Sequence, residues 1–190
     1  MPFVLIRSAV ATFFARGDTA TPVKAALTDA MRRVMAVAQV HKRLYTSNDV
    51  QSVSVDQYLA TLVEDLSHTD ASEISALSLA AEPLELDPDR AVAIGVIVNE
   101  LVLNAMKYAY PEQKGPIRVG LKRMNGKRAI LSVEDDGIGH DIKMTPRSTG
   151  LGRSIVGAMA SRLGADVVYD PDHSGTRVVI TFECAPARPA

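Results

Sequence analysis

The chain has 190 residues, enough for one medium domain plus a small one, with 21 basic side chains against 22 acidic ones and a net charge of −1. That balance gives no electrostatic case for nucleic acid or an anionic membrane as the main partner. The single cysteine, Cys184, rules out an internal disulfide and fits a reducing, cytoplasmic setting.

The opening stretch Met1–Ile6 is apolar, but Arg7 interrupts it and puts the charge on the wrong side for a signal peptide. No uninterrupted apolar run approaches the roughly 20 residues of a spanning helix, so no membrane segment is expected. Val4 to Arg16 reads as one helix, ended by Gly17. Thr21 and Pro22 then open a second, on which Val23, Leu27, Ala30, Val34, Val37, His41 and Leu44 alternate spacings of four and three. That is the seam of helices packed nearly parallel in a bundle. Both hairpin helices carry an apolar stripe, the first through Val4, Leu5 and Phe13, and two helices alone cannot cover both. A homodimer through residues 4 to 45 is the expected solution.

Thr46 to Val53 is the interdomain boundary, giving a helical hairpin over 1–48, a second domain over 54–184 and a frayed tail over 185–190. Ser54 and Gln57 read as a capping box for a third helix carrying Val55, Tyr58, Leu59, Leu62, Val63 and Leu66. Ile74 to Leu79 reads as a strand. Asp87 and Pro88 start a long helix that ends before Pro111. Ile117 to Met124 and Lys127 to Glu134 form a hairpin with Asn125-Gly126 as its turn. Another helix carries Ile155, Val156, Met159, Ala160 and Leu163, and the strands Val167–Tyr169 and Arg177–Phe182 finish the sheet. Strands that come mostly as adjacent pairs argue for an α+β sandwich.

Three strings carry the chemistry. Asn99-Glu100-Leu101-Val102-Leu103-Asn104-Ala105-Met106-Lys107-Tyr108 places Glu100 and Asn104 on one helix face, where a carboxylate and an amide oxygen suit a hard cation such as magnesium. Taken in isolation, such a pair is more often a solvated i,i+4 pair. Asp135-Asp136-Gly137-Ile138-Gly139 follows the apolar run 129–133, so Asp135 ends a strand and two glycines allow close approach to a flat ligand. An ordinary Asp-Gly turn would look the same. Thr149-Gly150-Leu151-Gly152 opens a helix whose free amides and dipole suit phosphate, although a glycine-rich loop can also merely start a helix.

In this order and spacing the three strings resemble the ATP-binding (Bergerat) fold of the GHKL superfamily, which holds histidine kinases, gyrase-type ATPases and related chaperones. With Leu86–Ala91 and His41-Lys42-Arg43-Leu44-Tyr45, the chain is similar to two-component sensor kinases of the second HisKA subfamily, relatives of the HWE kinases, from about residue 4 to 182. The resemblance implies ATP and Mg as cofactors, a response regulator receiver domain as partner, and transfer of the γ-phosphoryl to histidine and then to aspartate. It implies Asn104 as magnesium ligand, Glu100 as its acidic partner and Lys107 near the phosphates, with Tyr108 beside them. Asp135 would accept from the adenine amino group, with Gly137 and Gly139 lining the base. Thr149, Gly150, Leu151 and Gly152 would border the triphosphate, and Gly175-Thr176 would bring Thr176 close to the adenine. A noncatalytic phosphotransfer protein or an anti-sigma-type regulator with the same domain is the alternative.

The family's acceptor histidine lies on the first hairpin helix, and the pattern puts it about three residues before Met1. His41 falls at a seam position, His68 closes the third helix, His140 follows the glycine turn, and His173 is expected to be solvated. No two of them have zinc-ligand spacing. Radiolabelled ATP is therefore expected to leave this chain without acid-labile, alkali-stable label. Label that disappears in His41→Ala would instead make His41 the acceptor.

Overall fold

The computed structural model describes residues 52–69, 76–111, 114–139 and 151–184. The expected hairpin, His41, His140, Thr149, Gly150 and the tail 185–190 lie outside them. The described elements run β1 (Val53–Ser54), α1 (Val55–Thr69), β2 (Ala76–Ala81), β3 (Glu85–Leu86), α2 (Pro88–Tyr108), β4 (Pro116–Asn125), β5 (Arg128–Asp135), α3 (Leu151–Leu163), β6 (Asp166–Tyr169) and β7 (Arg177–Glu183).

Alternation along the strands decides the layering. Ile117, Val119 and Leu121 on β4, Ala129, Leu131 and Val133 on β5, and Val178, Ile180 and Phe182 on β7 are all buried, while their neighbours are not. The strands join in the order β2-β4-β5-β7-β6, with β2 and β4 parallel and every other pair antiparallel. The buried face of this mixed sheet shares one core with all three helices. The expected α+β sandwich is what forms.

Helix α2 is the spine of that core. Asp87 caps it, its Oδ1 accepting from the Arg90 amide at 3.0 Å, and Pro88 fills the first turn where its missing N–H costs nothing. Twelve of its residues are buried, from Ala91 to Ala105. By length and composition α2 could cross a membrane, which the absence of an uninterrupted apolar run did not suggest; 67% of that window is buried within the fold.

Two local expectations change. Ser54 does not cap α1 through the Gln57 amide: its hydroxyl donates to Asp56 Oδ1 at 2.9 Å, and the backbone at 53–54 pairs with Glu85–Leu86 as a short ladder. The Val55 amide is taken up by the Leu84 carbonyl at 2.8 Å, so a tertiary bond replaces the local box. In the hairpin, Asn125 pairs with Arg128, so Gly126-Lys127 forms the turn and a register shift between Arg123 and Asn125 absorbs the difference. Gly126 keeps a negative φ there.

The outer face of the sheet carries a charged row in register. Arg118 binds Glu134 at 2.7 Å and the Asp136 carboxylate, and Arg177 reaches Glu134 at 3.3 Å and Asp170 at 3.8 Å. Each exposed pair contributes little alone, but the row links the turn after β5 to the turn after β6. Arg118 holds the Asp136 carboxyl below its ordinary value through its hydrogen bond.

Two helix glycines predict opposite responses. A Cβ on Gly95 would lie 1.8 Å from the Tyr58 hydroxyl, so Gly95→Ala must displace a buried ring and should cost about 1–3 kcal/mol. Gly157, exposed in the middle of α3, has nothing within 4 Å of that position. Gly157→Ala should therefore stabilise by about 0.5–1 kcal/mol through helix propensity. Urea denaturation of the two variants checks both signs.

Candidate nucleotide site

Three backbone segments interlock at the end of β5. The Asp135 amide donates to the Thr176 carbonyl at 2.9 Å, and the Thr176 amide donates back to Asp135 Oδ1 at 3.1 Å. Oδ1 also accepts from the Gly137 amide at 3.0 Å, which closes the turn. Both bonds fall on one oxygen of a carboxylate that is 3% exposed. Among the described residues, Oδ2 receives no hydrogen bond and remains available as an acceptor.

The glycines explain how the segments come so close. A Cβ on Gly175 would lie 2.1 Å from the Asp135 carbonyl oxygen, and one on Gly137 would lie 2.2 Å from the Ala109 carbonyl oxygen. The Ile138 amide donates to that same Ala109 carbonyl at 3.0 Å, docking the turn on the end of α2. Gly139 has φ +72°, a conformation side chains rarely adopt. Tyr110 braces the turn from outside: its hydroxyl accepts from the Asp136 amide at 2.8 Å and donates to the Pro116 carbonyl at 2.7 Å. Burial pushes its phenol above the ordinary value.

Beside this interlock lies a cavity of about 170 Å³. Asn104, Tyr108, Asp135, Gly139 and Thr176 line it, so five of the residues singled out in the sequence meet there. Its apolar walls come from Leu101, Ala105, Ala109, Val133, Val156 and Val178. The periodic pattern marks these residues as core, and nothing local separates cavity wall from core. Arg153 and Tyr169 also line the cavity and have no counterpart among the expected site residues. The Arg153 guanidinium lies 4.7 Å from the Tyr169 ring centroid, and burial raises the Tyr169 phenol while Arg153 opposes the shift.

Other expected residues fall elsewhere. Gly137 does not line the cavity; its missing Cβ makes room for the Ala109 carbonyl rather than for a ligand. Glu100 lies one turn from Asn104 but is 2% exposed and does not line the cavity. Lys107 points its ammonium over the Tyr108 ring, 5.2 Å from the centroid, also outside the lining. Gly152 is buried in the first turn of α3. His173, expected to be solvated, is half-buried, and its Nδ1 accepts from the Gly175 amide at 3.1 Å. It holds the loop that carries Gly175.

The donor set fits a magnesium–nucleotide pair. The Asn104 side chain is half-buried on the cavity wall and makes no hydrogen bond among the described residues. Its carboxamide oxygen suits a cation that takes few protein ligands and keeps its waters.

A buried carboxylate at a strand end, a mixed sheet under three helices and a cavity against the end of the central helix define an ATP-binding domain of the GHKL type. Residues 89–186 match the family described as histidine kinase-, DNA gyrase B- and HSP90-like ATPase, and residues 6–70 match the family described as histidine kinase. The chain belongs to the histidine kinases. It is 25% identical over 156 residues to blue-light-activated histidine kinase 2 of Erythrobacter litoralis, covering 78% of this chain and 45% of that protein. It is 29% identical over 177 residues to the sensor histidine kinase PdtaS of Mycolicibacterium smegmatis, covering 87% and 34%. The chain thus spans between about a third and a half of the length of these relatives. Among solved structures, the histidine kinase domain of an Erythrobacter litoralis blue-light-activated kinase shares the fold with a TM-score of 0.71 at 23% identity, over 84% of this chain and 82% of that one.

Gly175→Ala tests the interlock. The colliding atom is backbone carbonyl, which cannot swing away, so the loop 173–176 must leave Asp135. Thermal unfolding should show a loss of about 1–3 kcal/mol. Gly157→Ala should show none of it.

Proposed function

We propose that this chain is the ATP-binding core of a two-component sensor kinase, which binds Mg-ATP in the Asp135 cavity and serves transfer of the γ-phosphoryl to histidine and then to a receiver-domain aspartate, the usual acceptor histidine being absent from this chain. The observation that carries the reading is the Asp135 carboxylate. Its Oδ1 is committed to two backbone amides, and its Oδ2 is left to accept from the amino group of an adenine. A buried acceptor of this kind rewards a base that donates and penalises one that does not.

Residues along α2 and at the start of α3 take up the rest of the nucleotide. Asn104 holds the metal and Lys107 moves to the phosphates. Thr149, Gly150, Leu151 and Gly152 supply amides at a helix start, with the dipole favouring negative charge. Magnesium, when bound, neutralises charge on the β- and γ-phosphoryl oxygens. Little covalent chemistry is asked of the side chains in phosphoryl transfer, so positioning and charge neutralisation make up most of the contribution. Glu100 is the acidic group one turn from the metal ligand, and its burial suits an orienting role toward Asn104. Residues 1–48 form the dimerising hairpin of this reading, residues 54–184 the ATP domain, and its work with a receiver domain is cytoplasmic. The available Asp135 acceptor favours a nucleotide-binding kinase core over a regulator with a vestigial domain.

Calorimetry with ADP tests the assignment. Asp135→Asn keeps an oxygen for the two amides but turns the ligand-facing acceptor into a donor, so ADP affinity should fall by about 1–3 kcal/mol with folding intact. Asn104→Ala should abolish the gain in ADP affinity that magnesium gives the wild type. Wild-type behaviour in both variants would sink the reading.

A further inference from the structure

Arg153 and Tyr169 sit on the cavity wall without a role in the reading above. Arg153 lies in the first turn of α3, and Tyr169 ends β6, which pairs with β7 on the side away from β5. Both line the nucleotide cavity, and both also line a second cavity under the 170–176 loop. The pair therefore borders open space rather than lying within a packed core.

The chemistry of this pair is specific. A guanidinium is planar, delocalised and weakly hydrated, so it can stack on an aromatic ring with one face and on a second flat group with the other. Here the guanidinium carbon lies 4.7 Å from the Tyr169 ring centroid, within cation–π range. Arg153 nevertheless remains exposed. The Asp135 carboxylate and Thr176, which mark the base end of the cavity, share its lining with Arg153, while Val133, Val156 and Val178 offer aliphatic contacts. A purine hydrogen-bonded to Asp135 would have aliphatic surface available in that lining as well as a flat cation.

We propose that Arg153, held by Tyr169, is a nucleobase-stacking residue of this kinase core: the adenine ring packs on the guanidinium, making a three-layer stack of base, Arg153 and Tyr169. This rests on the nucleotide reading of the Asp135 cavity and adds the wall against which the base packs. Stacking on a guanidinium is indifferent to the phosphates, so the contribution of Arg153 should be the same for adenosine as for ADP. A cation that reached for phosphate would instead leave the ring and matter only for the charged ligands.

The 190-residue chain and two ligands, adenosine and ADP, separate these cases by calorimetry. Arg153→Leu should weaken both ligands by the same factor, about 3- to 10-fold. Arg153→Lys should not restore either, because an ammonium keeps the charge and loses the plane. Tyr169→Phe should bind nearly as the wild type does, since the ring remains, whereas Tyr169→Leu should reproduce the Arg153→Leu loss. Circular dichroism checks that each variant is folded; should Arg153→Leu fail, the lysine and Tyr169 variants carry the same decision. A loss confined to ADP, rescue by Arg153→Lys, or wild-type affinity in every variant would overturn the stacking role. Absence of adenosine and ADP binding by the wild type would overturn the nucleotide reading itself, and the stack with it.

Discussion

Everything at the site depends on one close crossing, that of Gly175 over the carbonyl of Asp135. The two residues come from different strands, β5 and the entry to β7, and a single methyl group between them would collide with backbone at 2.1 Å. Because they touch, Thr176 can exchange hydrogen bonds with Asp135, and one carboxylate oxygen is consumed in holding the turn. The other oxygen is thereby fixed in position. A side chain held by two backbone amides loses little further freedom on binding, which is how a single acceptor becomes a discriminating one.

The surrounding fold keeps that crossing in place from three directions. Helix α2 ends against the turn, its Ala109 carbonyl filling the space that Gly137 leaves open. Tyr110 bridges the same turn to the start of β4, and the ring of Tyr110 is itself accommodated by Gly115, whose Cβ would lie 2.0 Å from it. On the outer face, the row from Asp136 through Arg118, Glu134 and Arg177 to Asp170 ties the two loops that flank the cavity. Glycine here serves chain crossings more than ligand approach. The exception is Gly139, which lines the cavity and adopts the left-handed region.

The elements themselves were legible along the chain. Alternation on β4, β5 and β7 and the Asp87-Pro88 start of α2 emerged where expected, because each depends on neighbours within a few residues. The two failures share a cause. Ser54 and Asn125-Gly126 carry sound local signals for a cap and a turn, yet partners 28 or more residues distant in one case, and strand register in the other, decided otherwise. Local propensity yields where a tertiary bond satisfies the same backbone group.

Short-range pattern along the chain set the period of each element, the residue types at its ends and the order of the three nucleotide strings. These are properties of neighbouring residues, and a chain carries them before it folds. What those residues do was settled by long-range packing. It put Gly137 under a helix end instead of a ligand, buried Glu100, made His173 a loop tie, and joined Arg153 to Tyr169 on a shared cavity wall. The physical reason is distance. Asp135 and Thr176 are 41 residues apart along the chain and 3.1 Å apart in space, and periodicity along a segment carries no information about which other segment it will meet.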